Sequence, residues 1–169
     1  MSTGTYVSVG GRPAVRFERE YRHSVERVWR AVSEADQARQ WFPSALTFEP
    51  RVGGAVRFTG DPHTSDGEGV VLEYDPPRLL AFTWGNGEVH IALEPVGEDR
   101  CRFVLINVLE ADDEAARNAA GWDVCLGELD KVVQGEQAQG PHAVPMTAWK
   151  AVYQSYVRSG MPAGAPVPD

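Results

Sequence analysis

The feature that most constrains this chain is the stretch from Leu46 to Leu109, where short apolar–polar alternations follow one another with nothing of helical period between them. Leu46-Thr47-Phe48 ends at Pro50, Ala55 to Thr59 follows Gly53-Gly54, and Gly69 to Tyr74 runs into Asp75-Pro76-Pro77-Arg78. Leu79 to Trp84 and Glu88 to Glu94 flank Gly85-Asn86-Gly87. Asn-Gly is the strongest hairpin signal a short segment carries, because both residues tolerate positive φ. Cys101 to Leu109 closes the series. Parallel neighbours need a crossover of a dozen residues or more, usually a helix, so strands joined this tightly form an antiparallel meander.

The flanking segments supply the rest of the fold. Thr5–Val9 and Ala14–Arg22 surround Gly10-Gly11 and read as a hairpin. In its second arm Val15, Phe17 and Tyr21 share a face with Arg19, while Arg16, Glu18, Glu20 and Arg22 take the other. After His23 the period becomes helical: Ser24 can cap a helix with Val25, Val28, Trp29 and Val32 on one stripe and Glu26 in the first turn. A second short helix, from about Ala35 to Phe42, presents Ala38, Trp41 and Phe42 and stops at Pro43. Beyond the meander, Asp112 and Asp113 suit a helix start, and Ala115, Ala119, Trp122, Leu126, Leu129 and Val133 form one long stripe. Gln134 to Pro145 reads as a polar linker, and Thr147 to Arg158 as a last helix with Trp149, Val152, Tyr153 and Tyr156 on one face. The Pro/Gly/Ala-rich residues 161–169 are expected to be a disordered tail.

The pattern predicts an α+β fold in one domain over residues 1–160. A curved antiparallel sheet of about six to seven strands wraps a long helix, with two short helices after the first main strand and an extra terminal helix. One helix is narrower than such a sheet, so part of the apolar concavity is expected to stay open as a pocket. At 169 residues the chain fits one domain, which at this size buries roughly 70% of its unfolded surface and needs no disulfide or metal staple. With 24 acidic against 16 basic residues and no Lys/Arg stripe, nucleic acid is not an expected partner. No apolar run approaches the ~20 residues of a membrane span, so no membrane insertion is expected. Met1-Ser2-Thr3-Gly4 lacks the charged start and apolar core of a signal peptide. The two cysteines, Cys101 and Cys125, fit a reducing cytoplasm, the expected location.

Several motifs together resemble a known superfamily: Ser24-Val25-Glu26-Arg27-Val28-Trp29, Trp41-Phe42, Gly53-Gly54, the run Gly69-Val70-Val71-Leu72-Glu73-Tyr74-Asp75-Pro76-Pro77-Arg78-Leu79, Phe82-Thr83-Trp84 and Gly121-Trp122. The chain resembles the START-like helix-grip (SRPBCC) proteins, and more narrowly the bacterial relatives of the C-terminal domain of the activator of the Hsp90 ATPase. The resemblance spans residues 14–135, with Trp149 and Tyr153 typical of one bacterial branch. It implies a sheet gripping a C-terminal helix around an apolar cavity, in a superfamily that includes lipid carriers, hormone receptors, polyketide cyclases and oxygenase subunits. Two departures stand out. Many relatives end the last strand in Thr-Leu-Thr-His, where this chain has Val104-Leu105-Ile106-Asn107, and many carry His after the Gly-Trp of the long helix, where it has Asp123. The resemblance therefore implies no catalytic imidazole at either place.

Strand alternation selects the pocket lining: Arg19, Phe58, Tyr74, Phe82, Trp84, Ile91, Phe103 and Asn107, with Val56, Val70, Leu72, Leu80, Val89, Leu93 and Leu105 on the same inward phases. Trp41, Trp122 and Leu126 are expected to meet them from the helical segments. The polar members carry most information, because a buried polar group without a partner costs about 1–3 kcal/mol. Arg19 and Asn107 either orient a ligand or serve the rim and the local backbone. Among the histidines, His90 alternates outward and His63 lies in the polar loop Asp61-Pro62-His63-Thr64-Ser65-Asp66, placed to overhang a cavity mouth. No rigid metal-ligand set, phosphate-cradling glycine motif or Gly-x-Ser-x-Gly elbow is present, so no metal or cofactor is expected. Cys101 and Cys125 read as packed core thiols.

The leading expectation is a protein that binds a small apolar molecule, lipid or polyketide-like, without transforming it. The alternative is a cyclase- or hydrolase-type enzyme in which Arg19, Tyr74 and Asn107 converge to polarise a carbonyl. A further one, implied only by the family resemblance, is a chaperone-associated module that binds Hsp90. A homodimer through the sheet edge or the last helix is compatible with the pattern.

Overall fold

In residues 4–168, which the computed structural model describes, the turn-separated runs pair into one antiparallel sheet of eight strands. They are β1 (Thr5–Val9), β2 (Arg12–Tyr21), β3 (Ala45–Phe48), β4 (Ala55–Thr59), β5 (Gly67–Asp75), β6 (Leu79–Trp84), β7 (Gly87–Gly97) and β8 (Arg100–Val108). Their order across the sheet is β1-β2-β8-β7-β6-β5-β4-β3. Consecutive strands from β3 to β8 are neighbours, as short turns require. The expected six to seven strands become eight because the N-terminal hairpin contributes both arms: β2 pairs with β8, Phe17 opposite Leu105, and β1 becomes the edge.

One strand departs from its expected phase. Val71 pairs with Phe82, but Glu73 pairs with Ala81, so Leu72 is an extra residue in a β-bulge. The alternation therefore reverses there. Val71 turns inward at 1% exposure, and Val70, expected inward, stands 46% exposed. Past the bulge, Tyr74 comes opposite the buried Leu80.

Helix α1 (Val25–Ser33) starts as its sequence dictates, with extended backbone at Ser24 and its hydroxyl accepting the Arg27 amide at 3.2 Å. Helix α2 (Ala35–Ala38) is a single turn, shorter than the predicted 35–42, because Pro43 disfavours helical backbone at Phe42. Trp41 and Phe42 follow it into the core, where Trp41 Nε1 donates to the Ala31 carbonyl at 2.9 Å.

Helix α3 (Ala115–Val133) lies in the concave face of the sheet. Its first turns bury Ala115, Ala116, Ala119 and Ala120, small residues that allow close approach, and its later turns bury Trp122, Leu126 and Leu129. Helix α4 (Met146–Arg158) packs on α3 after a 3-10 turn at Pro141–Ala143. The expected disordered tail is different in the described residues 161–168. Met161 and Ala165 are buried, and the Pro162 carbonyl accepts the Ala116 amide at 2.9 Å. That amide is one of the free donors at the start of α3, so the returning chain satisfies a helix end. No helix of the described residues is long and apolar enough to cross a membrane.

Candidate functional site

The interior of the grip is filled with aromatic rings. The Phe42 ring centroid lies 6.2 Å from Phe58, 6.0 Å from Phe82, 5.9 Å from Trp84 and 5.7 Å from Trp122. Trp84 and Trp122 are 5.3 Å apart. Phe82, Ile91, Phe103, Leu126 and Trp41 are buried around this plug. An open space lies on the far side of Trp84 and Trp122, as a cleft of about 220 Å³. Gly121 and Cys125 of α3 form one wall and Met146 and Trp149 of α4 the other. Of the candidate pocket residues, Trp84 and Trp122 line this cleft, and Trp84 and Phe58 line a chamber beside it.

The mouth is polar. His63 and His142 hold their rings 5.4 Å apart. His142 Nε2 donates to the Pro43 carbonyl at 2.6 Å and lies 3.8 Å from Asp61 Oδ1. Asp61 Oδ1 also accepts the His63 amide at 2.8 Å, which orients the 61–66 loop over the cleft. The sequence placed that loop at a cavity mouth. It missed His142, Met146 and Trp149. The available signal was the apolar face of the last helix, which had to cover something. Among the described residues no group of three His, Cys, Asp or Glu side chains is placed to hold a metal ion.

The other polar candidates serve the scaffold. Asn107 Nδ2 donates to the carbonyls of Glu88 at 3.1 Å and Val108 at 3.2 Å. Its Oδ1 accepts from Asn118 Nδ2 at 3.0 Å and Trp122 Nε1 at 3.1 Å, so its valences are used and Trp122 is held in place. Arg19 pairs with Asp123 at 3.7 Å, with side chains only 11% and 13% exposed. The Tyr156 hydroxyl donates to Asp123 Oδ2 and accepts the Gly4 amide at 2.8 Å, which ties α4 to α3 and the N-terminal strand. Burial pushes the Asp123 carboxyl above its usual range, and the Tyr156 hydroxyl and Arg19 hold it back. Burial, then the Asp123 hydrogen bond, raises the Tyr156 phenol.

Tyr74 packs against Trp29 and Phe48, with centroids 6.1 Å and 6.0 Å away. Arg19 sits opposite Phe103, four residues along β8 from Asn107 and so about 13 Å from it. Tyr74 is on β5, three strand spacings from β8, or about 14 Å. None of Arg19, Tyr74 and Asn107 lines the cleft or the chamber beside it. Cys101 and Cys125 are both buried and unbridged.

The model of the family described as "Activator of Hsp90 ATPase homolog 1-like protein" matches residues 22–134, two thirds of the chain. The chain belongs to this family. Solved structures share its fold. A conserved protein of unknown function from Enterococcus faecalis, EF2215, is 23% identical with a TM-score of 0.74, covering 92% of this chain and 89% of its own. CalU16 from Micromonospora echinospora is 19% identical with a TM-score of 0.71, covering 92% and 94%. The BPP1335 product from Bordetella parapertussis is 24% identical with a TM-score of 0.68, covering 92% and 90%. A search of curated proteins returns no match.

The family match ends at residue 134, so the matched segment supplies Asp61, Trp84 and Trp122 but not His142, Met146 or Trp149. The cleft is the seam between the family segment and the elements that follow it.

Proposed function

We propose that this protein is a binding domain that holds a small, mainly apolar molecule in the cleft between α3 and α4 without transforming it. The observation that carries the reading is the wall of Trp84, Trp122, Trp149 and Met146 around an open space, in a fold whose own interior is packed. Large aromatics supply the contact area that dominates small-ligand pockets. At about 220 Å³ the cleft is smaller than the ~300–1,000 Å³ typical of drug-sized ligands, which favours a body of one or two rings over an extended lipid chain. The separation of Arg19, Tyr74 and Asn107 supports binding over carbonyl chemistry. Arg117, at the other end of the cleft, is committed to Glu114 Oε2 at 3.1 Å.

The three tryptophans make the test direct. Titration with one- and two-ring aromatics and with short lipids, read by intrinsic fluorescence and thermal unfolding, is expected to show saturation by the ring compounds. A ligand at a hundred times its Kd raises stability by about 2.7 kcal/mol. Trp149→Ala is expected to weaken binding at least several-fold. Saturation that survives this substitution unchanged, or no saturation by any compound, overturns the proposal.

A further inference from the structure

The Trp-walled cleft does not end at Asp61. That residue and Trp84 also wall a second chamber of about 290 Å³, enclosed by the β4–β5 loop and Ser44. The two spaces meet at one carboxylate and one indole, and their characters are opposite. The chamber carries Asp61, Asp66 and Glu68 alongside the Phe58 and Trp84 rings, and among the described residues lining it none is Lys, Arg or His. Such a wall favours a cation twice over: carboxylates attract it, and the faces of Trp and Phe attract it through their quadrupoles.

Two further observations point to a missing hydrogen-bond partner. Ser44, on the chamber wall, is 8% exposed, and its buried hydroxyl has no partner. Native structures rarely leave such a group unsatisfied, and a bound molecule with a donor would complete it. The Asp61 side chain is 11% exposed and uses Oδ1 for the His63 amide, with His142 Nε2 3.8 Å away. Its charge also bears on α3: burial first, then Asp61 and Glu128, push up the Cys125 thiol in the cleft wall.

We propose that the ligand of this site is an arylalkylamine, with its ring in the cleft against Trp122 and Trp149 and its protonated amine in the chamber between Asp61 and Ser44. The inference rests on the binding function proposed above and adds the ligand's charge and polarity. An ammonium brings donors for the Asp61 carboxylate and for the Ser44 oxygen, and a short alkyl spacer carries it past Trp84.

Three probes with the same ring and two-carbon spacer separate the two proposals: 2-phenylethylamine, 2-phenylethanol and 3-phenylpropionate, titrated against the full chain by tryptophan fluorescence. The amine is expected to bind at least ten-fold tighter than the alcohol, and the acid weakest. Asp61→Asn keeps an acceptor for the His63 amide, so the loop is retained, and is expected to remove the preference for the amine over the alcohol. Ser44→Ala is expected to weaken the amine several-fold and to leave the folded protein at least as stable. If all three probes bind alike, or the acid binds best, the amine assignment is overturned and the cleft-binding function stands. If none binds, both fall.

Discussion

Replacing Tyr156 by Phe removes one oxygen, and the structure allows its cost to be worked out. The hydroxyl donates to a mostly buried carboxylate, Asp123, and accepts the buried Gly4 amide. A hydrogen bond to a charged group contributes about 1.5–3 kcal/mol, and an orphaned buried amide costs about 1–3 kcal/mol. The ring itself keeps its burial in Phe. The expected loss at neutral pH is therefore about 3 kcal/mol, which in a chain of this size lowers Tm by roughly 6–12 °C. The loss has a pH signature. Burial raises the folded-state pKa of Asp123 above its ordinary 3.8. The protonated form is thus favoured in the folded protein, and the stability it brings is present below that ordinary value and lost as pH rises through the folded one. The Tyr156 hydroxyl holds the folded value down. Tyr156→Phe lets it rise further, so the variant loses stability over a wider span of rising pH. In acid, with Asp123 protonated, the bond lost is an ordinary one of about 0.5–1.5 kcal/mol. Urea unfolding of parent and variant between about pH 4 and about pH 7.5 measures the difference. A gap that stays constant with pH, or that widens in acid, refutes the role given to Asp123. Because Tyr156 also fastens α4, the variant is expected to bind cleft ligands more weakly.

The remaining expectations follow from other buried groups. Asn107→Leu keeps the volume but strips the acceptor from Trp122 Nε1 and Asn118 Nδ2, and is expected to cost about 3 kcal/mol. Urea unfolding checks it, and a variant as stable as the parent would show that the network contributes nothing. Burial raises the Cys101 thiol to about 11 and the Cys125 thiol further still. Both are expected to resist alkylation near neutral pH in the folded protein and to react once it is unfolded, with mass spectrometry counting the adducts; rapid native labelling of Cys101 contradicts its place in the core. Ending the chain at Gly160 exposes the Ala116 amide and removes the buried Met161 and Ala165, and is expected to lower Tm by several degrees. An unchanged melting curve would mean that the returning segment contributes nothing to stability.

What could be seen in the sequence was what short-range chemistry decides. Ser24 caps α1 because its hydroxyl reaches an amide three residues on, and the Gly-Asn-Gly turn joins β6 to β7 because its residues accept the required backbone. The β5 bulge was invisible because its cause lies elsewhere. The backbone groups of Val71 bond to Gly53 and Gly54, at 2.8 Å and 2.9 Å, and that pairing forces the phase change Val70 reveals. The site was hidden for a stronger version of the same reason. Alternation said that Phe58, Phe82 and Trp84 face inward, and they do. Whether an inward face bounds a cavity or fills it depends on how many rings arrive from other elements. Phe42, carried in by the segment after α2, brings the ring that closes the grip. With the interior closed, the cleft forms where a later segment lays a second wall against the outside of Trp84 and Trp122. Residues 141–149 lay it, across a linker with no periodicity to reveal where it docks. The site therefore draws on both the fold-forming segment and the chain that follows it. The matched segment, 22–134, supplies most of the grip and one wall of the cleft, and under the proposed function the ligand's chemistry would be set where the 61–66 loop meets the start of α4.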